Sequence, residues 1–128
     1  MTALRVLVVE NDPQSLGYLC ALIAGWGYRV EPARSASAAL QAMKSECPDI
    51  VLSDLVMPGM DGLELLRSIR AIKDCKSAFI LLTGHGTVPE AVRAIMEGAD
   101  DVLIKPLDEA AFLAQLQRYD RGRRGDAS

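Results

Sequence analysis

The chain has 128 residues, half of them hydrophobic, a size and composition that suit one domain folding around one core. With 14 Lys+Arg against 17 Asp+Glu it carries a net charge of -3, which offers no broad cationic surface for gripping a phosphate backbone, so no direct nucleic-acid binding is expected. Its longest apolar stretches are strand-length, far short of the roughly 20 residues that cross a bilayer, and no charged-then-apolar leader opens it, so a soluble cytoplasmic protein without membrane contact is expected.

Arg5 to Val9 is a short aliphatic run that ends in Glu10, Asn11, Asp12 and Pro13, the pattern of a buried strand followed by a polar turn. From Pro13, Leu16, Leu19, Cys20 and Ile23 recur on one helical face until Gly25 and Gly27 stop the helix. Arg29 to Ala33 reads as a second strand. Ser35 is a candidate cap, and Ala38 to Ser45 a helix with Leu40 and Met43 facing inward. Asp49 to Ser53 is strand-like, Asp54 to Gly62 is rich in turn formers, and Leu63, Leu66, Ile69 and Arg70 continue as a helix. Ala78 to Leu82 makes a fourth strand, Thr83 to Thr87 a Gly-containing loop, and Val88, Val92, Ile95 and Met96 one helical face with Gly98 just past its end. Val102 to Ile104 is the fifth strand, broken by Lys105-Pro106, and Asp108 caps a last helix that turns Phe112, Leu113 and Leu116 inward.

Five strand-helix units with near-continuous apolar strands predict an α/β fold: a doubly wound five-stranded parallel sheet covered by helices on both faces. The spacing of Cys20, Cys47 and Cys75, odd in number and without a C-x-x-C pair, argues against a disulfide framework or a zinc site, and three reduced thiols are expected. Trp26 and Tyr119 read as edge-of-core aromatics. His85, alone in a Gly-flanked loop, reads as a solvated loop residue. The Arg-rich stretch from Arg118 to Arg124 reads as a flexible basic tail, so a domain over 1–118 and a linker over 119–128 are expected.

Ligands of open parallel sheets sit beyond the carboxyl ends of the strands. Those positions hold Glu10, Asn11 and Asp12 after the first strand, Asp54 after the third, Thr83 after the fourth and Lys105 after the fifth. Taken singly, each has an ordinary explanation: Asp12 caps a helix, Asp54 opens a turn, Thr83 suits a strand end, and Lys105 is a solvated lysine. Together they form a pocket of carboxylates, a hydroxyl and an ammonium. Two carboxylates about 4 Å apart repel by up to about 4 kcal/mol at an effective dielectric of 20, so the cluster calls for a cation, and magnesium with a phosphate oxygen suits it. A carboxylate such as Asp54 can accept a phosphoryl group to form an aspartyl phosphate.

The runs Val8-Val9-Glu10-Asn11-Asp12-Pro13 and Pro48 to Gly62, the loop Leu82-Thr83-Gly84-His85-Gly86, and Gly98-Ala99-Asp100-Asp101 with Lys105-Pro106 together resemble a response-regulator receiver domain of two-component signalling. The resemblance implies a flavodoxin-like fold, Asp54 as phosphoacceptor, and a magnesium site made of Glu10, Asn11, Asp54 and the backbone carbonyl of Val56. It also implies Thr83 as the switch hydroxyl, Lys105 as the phosphoryl contact, and a Lys105-Pro106 bond that is cis in many relatives. The implied partners are a sensor histidine kinase and an output domain or downstream protein, with a homodimer through the fourth helix, fifth strand and fifth helix as a further option. Catalysis would be confined to the chain's own phosphorylation and dephosphorylation. The loop after the fourth strand and the run from Ser53 to Gly62 look most like receivers of sigma-54-dependent transcription activators, which suggests a piece of a larger regulator; a stand-alone receiver, or one detached from a hybrid kinase, is the other option.

Two departures stand out. Asn11 occupies a position where most relatives have an acid, which predicts weaker metal binding, and Val102 replaces the usual switch aromatic. They motivate an alternative, a pseudo-receiver that binds partners without phosphate control. A flavin-binding flavodoxin is disfavoured because Glu10-Asn11-Asp12-Pro13 would repel its phosphate, and an aspartyl phosphatase because Leu55 and Val56 stand where it would want a second acid.

Overall fold

The computed structural model describes residues 3–84 and 88–123. The expectations for His85, Gly86 and Thr87, and for the chain from Arg124 onward, therefore fall outside the described residues. In chain order the elements are β1 (Arg5–Val9), α1 (Pro13–Gly25), β2 (Arg29–Ala33), α2 (Ala36–Met43), β3 (Ile50–Asp54), α3 (Gly62–Arg70), β4 (Ala78–Thr83), α4 (Val88–Met96), β5 (Asp101–Ile104) and α5 (Glu109–Arg123). All strand pairs are parallel, in the order β2-β1-β3-β4-β5. This is the doubly wound, flavodoxin-like arrangement, with the reversal of strand order beside β1.

Alternation along the strands sorts the core into two layers. Leu7, Val9, Val51, Phe79 and Leu81 point to the side of Ala39, Met43, Leu66, Ile69 and Ala94, on α2, α3 and α4. Val6, Val8, Ile50, Leu52, Ile80 and Leu82 point to the side of Leu16, Leu19, Ile23, Phe112 and Leu116, on α1 and α5. Each fully buried Val, Leu, Ile, Phe or Met among them contributes roughly 1.5–3 kcal/mol of apolar burial. Trp26 lies at the margin of the second layer, edge-on to Phe112 with ring centroids 5.6 Å apart, and Tyr119 is half-buried there too.

Caps set the helix starts. Asp12 accepts from the Ser15 amide, Ser35 from the Ala38 amide and Asp108 from the Ala111 amide. Because Ser35 bonds the third residue after it, α2 begins at Ala36, two residues before the expected start. Asp61 and Glu64 bond each other's backbone amides in a capping box that opens α3.

Three expectations need correction. Asp54 and Thr83 are the last residues of β3 and β4 rather than loop residues, because Asp54 pairs with Leu82 and Thr83 with Ile104 in the ladders. The last helix runs to Arg123, past the boundary expected at 118, because Tyr119 still packs against the core. Most plainly, Cys47 and Cys75 are not reduced thiols: they are joined in a disulfide with Cα atoms 5.8 Å apart, leaving Cys20 as the free cysteine. The 28 positions between them in sequence hide their proximity. Cys47 precedes β3 and Cys75 precedes β4, and those adjacent strands bring the two loops together at the amino edge of the sheet.

Candidate functional site

The register that aligns Val9 with Ser53, Asp54 with Leu82 and Thr83 with Ile104 brings the carboxyl ends of β1, β3, β4 and β5 to one edge. Backbone bonds hold the next residues in place: Glu10 N–H donates to Ala33 O at 3.0 Å, Leu55 N–H to Leu82 O at 3.0 Å, and Lys105 N–H to Thr83 O at 2.9 Å. The Lys105-Pro106 bond is cis, as expected.

From these anchors Lys105 reaches two carboxylates at once. Its Nζ lies 3.4 Å from Asp54 Oδ2 and 3.7 Å from Glu10 Oε2. Thr83 is buried beside them at the end of β4, and Gly84 faces the aliphatic part of Lys105. Asn11 is exposed in the turn after β1, and Val56 is exposed in the loop between β3 and α3. Glu10, Asp54 and Lys105 are thus brought into ion-pair contact, Thr83 adjoins them, and Asn11 and Val56 stand at the rim. Asp12, one position further, is engaged with Ser15 as the cap of α1.

Glu10 is the unusual member. Only 2% of it is exposed. Its Oε1 accepts the Asp12 amide at 3.0 Å, whereas its Oε2 is buried without a hydrogen-bond partner. Burial pushes its pKa up, and the nearby Asp54 carboxylate adds to the rise, against the opposing Asp12 amide and Lys105 ammonium. One ammonium shared by two acids leaves the cluster short of positive charge, and an orphaned buried carboxylate oxygen suits a hard divalent cation. Among the described residues no three His, Cys, Asp or Glu side chains converge as a metal cage, in keeping with Asn11 at the third acidic position.

The raised Glu10 pKa fixes the sign of a pH effect. The folded protein holds this proton more tightly than the unfolded chain, so ionising Glu10 costs stability, and the cost grows as pH rises from the ordinary value of 4.5 through the raised one. Glu10→Gln is therefore expected to stabilise the metal-free protein at pH 7 and to leave it unchanged below pH 4.5. Urea unfolding at both pH values checks this; an equal gain at both would mean that ionisation is not the cause.

The sequence marks Gly62 only as the end of a loop rich in turn formers. Its amide donates to Leu55 O at 2.9 Å, closing the loop after Asp54, and a Cβ there would sit 2.5 Å from the Asp54 carbonyl oxygen. Arg70 is likewise marked only as part of a helix, yet it bonds Ser77 O at 2.7 Å, Gly98 O at 2.7 Å and the Asp100 carboxylate at 2.9 Å, tying α3 to the end of α4. Neither role has a sequence signal, since the first depends on how the loop after Asp54 folds back and the second on Gly98 and Asp100, a whole strand-helix unit away.

A family model described as the response regulator receiver domain matches residues 6–117. The transcriptional regulatory protein ZraR of Escherichia coli (strain K12) is 39% identical over 113 residues, which are 88% of this chain and 25% of that protein. The C4-dicarboxylate transport transcriptional regulatory protein DctD of Rhizobium meliloti (strain 1021) is 42% identical over 119 residues, 93% of this chain and 26% of that protein. The chain thus spans about a quarter of the length of these relatives. Among solved structures, a response regulator receiver domain protein from Clostridium thermocellum superposes with a TM-score of 0.87 at 28% identity, covering 94% of this chain and 97% of that one. The chemotaxis protein CheY4 of Vibrio cholerae gives 0.86 at 26% identity, covering 92% and 99%.

Proposed function

The chain belongs to the response regulator receiver domain family, and on that premise we propose that Asp54 accepts a phosphoryl group from a phosphohistidine of a sensor kinase. In that transfer the P–N bond to histidine breaks as a P–O bond to an Asp54 carboxylate oxygen forms. Glu10, Asn11, Asp54 and the Val56 carbonyl would hold Mg2+, which when bound offsets negative charge on the transferring oxygens. Lys105 would then exchange its pairing with Asp54 for a contact with the phosphoryl group, and the Thr83 hydroxyl would donate to one of its oxygens. The observation that carries this reading is the contact of Lys105 with both Asp54 and the partly orphaned Glu10.

The signal would leave through α4 and β5. Val92, Ile95 and Met96 on α4 are about half exposed or more and line one shallow groove, an apolar patch suited to an output domain or a second receiver, and Ile104 on β5 is exposed as well. Val102, half-buried against the core, takes the place of the aromatic readout, so the change would pass through Thr83 and the start of α4. The likeness to transcriptional regulatory proteins supports an output in transcription activation, of the sigma-54-dependent class by sequence resemblance, with this domain touching no nucleic acid itself. No described helix is long and apolar enough to cross a membrane, and a cytoplasmic setting beside a kinase's catalytic portion fits the proposal.

Intact mass after incubation with acetyl phosphate tests it. A gain of one phosphoryl group that requires Mg2+ and maps to the peptide holding Asp54 is expected. Asn11 at the rim favours one rival, a receiver-like binding module without phosphate control, and no gain in the folded protein would select it.

A further inference from the structure

The Cys47–Cys75 disulfide lies at the amino edge of the sheet, the pole opposite Asp54. Cys47 is half-buried and Cys75 only 9% exposed, so one sulfur is open to a small reagent and the other sits behind it. Asp74, in the left-handed region at φ 62, turns the chain immediately before Cys75. The Ser77 hydroxyl donates to Pro48 O at 2.6 Å and stands 3.1 Å from Cys47 Sγ and 3.5 Å from Cys75 Sγ. A hydroxyl within reach of both sulfurs can turn its hydrogen from the carbonyl to whichever becomes a thiolate. Shallow grooves flank the bond, with Lys76 and Arg118 beside Cys47, and Arg70 and Lys76 beside Cys75. Asp49 lines the first groove and Asp74 and Asp100 the second, and Arg118 pairs with Asp101 and Arg70 with Asp100, so Lys76, common to both grooves, is the cation left to meet a thiol compound bearing carboxylates.

The same loop is mechanically connected to α4. Ser77 O accepts from Arg70 Nη1, and Arg70 also bonds Gly98 O and the Asp100 carboxylate, just past the end of α4. Asp100 in turn accepts the Phe79 amide at 2.7 Å, so the start of β4 and the end of α4 share one guanidinium.

We propose that Cys47 and Cys75 form a thiol–disulfide exchange site for an anionic low-molecular-weight disulfide such as oxidised glutathione, and that its state sets how firmly the end of α4 is held. In the oxidising direction the Cys47 thiolate attacks one sulfur of the small disulfide, forming a mixed disulfide and expelling one small thiolate. The Cys75 thiolate then attacks Cys47 Sγ, closing the protein disulfide and expelling the second. Two protein thiols are oxidised, one small disulfide is reduced to two thiols, and the two protons pass to the expelled thiolates. Excess small thiol reverses both steps. Disulfides that occur in a reducing cytoplasm are usually redox-sensing or catalytic, which fits the setting proposed above, although the exchange itself does not depend on that setting or on phosphorylation. Cys20 is a built-in comparison, because burial pushes its thiol pKa up and it has no partner cysteine.

The test equilibrates the full chain at graded ratios of reduced to oxidised glutathione, quenches with an alkylating reagent and reads intact mass, with circular dichroism confirming the fold. Cys47 and Cys75 are expected to pass together from both alkylated to both protected, while Cys20 stays alkylatable throughout. A pair that remains bonded under a large excess of reduced glutathione, or free under oxidised glutathione alone, overturns the exchange site. Cys75→Ser is expected to trap one glutathione on Cys47; a Cys75→Ser protein that stays unmodified while Cys47→Ser is trapped overturns the order of attack. In the reduced protein, Ser77→Ala should move the pH profile of Cys47 alkylation upward, and an unmoved profile removes Ser77 from the site. Hydrogen exchange at residues 97–100 should quicken by about tenfold or more on reduction, and unchanged protection there overturns the coupling to α4.

Discussion

Asp54→Asn is expected to reduce phosphoryl uptake by at least about a thousandfold, because the substitution removes one of the two carboxylates that Lys105 contacts among the described residues, the other being buried Glu10. The fold should survive. Position 54 is held by main-chain pairing with Leu82 and by Leu55 N–H donating to Leu82 O, neither of which uses the carboxylate. An amide at this position also removes a negative charge that raises the Glu10 pKa, so Glu10 should titrate lower in the variant. Mass spectrometry with acetyl phosphate and Mg2+, alongside urea unfolding, separates the chemical effect from a structural one. Undiminished uptake in a folded Asp54→Asn protein would place the acceptor elsewhere and sink the proposed role.

Gly62→Ala is expected to destabilise the protein by about 2–3 kcal/mol although it places the best helix former in the first turn of α3. The propensity gain is about 1 kcal/mol at most, and steric cost outweighs it. An added Cβ would stand 2.5 Å from Asp54 O, 2.9 Å from Leu81 Cδ1 and 3.0 Å from Leu55 Cα. Two of those three atoms are backbone, so relief requires moving the strand end that carries Asp54. A shift approaching 1 Å at the nucleophile costs about a hundredfold in rate, so phosphoryl uptake should fall along with stability. Urea midpoints and uptake rates check both parts. A variant as stable and as active as the parent would mean that the loop after β3 yields freely.

Residue patterns alone carried much of this protein. Apolar runs of five or so residues alternating with helical faces marked β1, β3 and β4, because burial between two layers of helices demands continuous apolar strands, whereas the edge strand β2 buries only Ala33. Caps at Asp12, Ser35 and Asp108 were legible because a side chain bonding an amide three residues on is a local event. The candidate site residues were legible through strand ends and through motifs resembling one family, both carried by short stretches of chain. Boundaries were less so: Asp54 and Thr83 looked like loop residues, and only pairing with neighbouring strands draws them into the ladder.

What the sequence determined by itself is therefore whatever depends on neighbours within a few positions, namely the order of elements, their caps and the residue types at each strand end. Tertiary structure alone decided whatever depends on which distant segments meet. It brought Lys105 against both Glu10 and Asp54, set Gly62 against the Asp54 carbonyl, gave Arg70 its partners at the end of α4, and turned two cysteines 28 positions apart into a bonded pair. For three of the four the physical reason is common: contacts between neighbouring strands and their covering helices join residues separated by whole crossover units; Gly62 meets the Asp54 carbonyl because the loop between them folds back on itself, and spacing along the chain carries no trace of either.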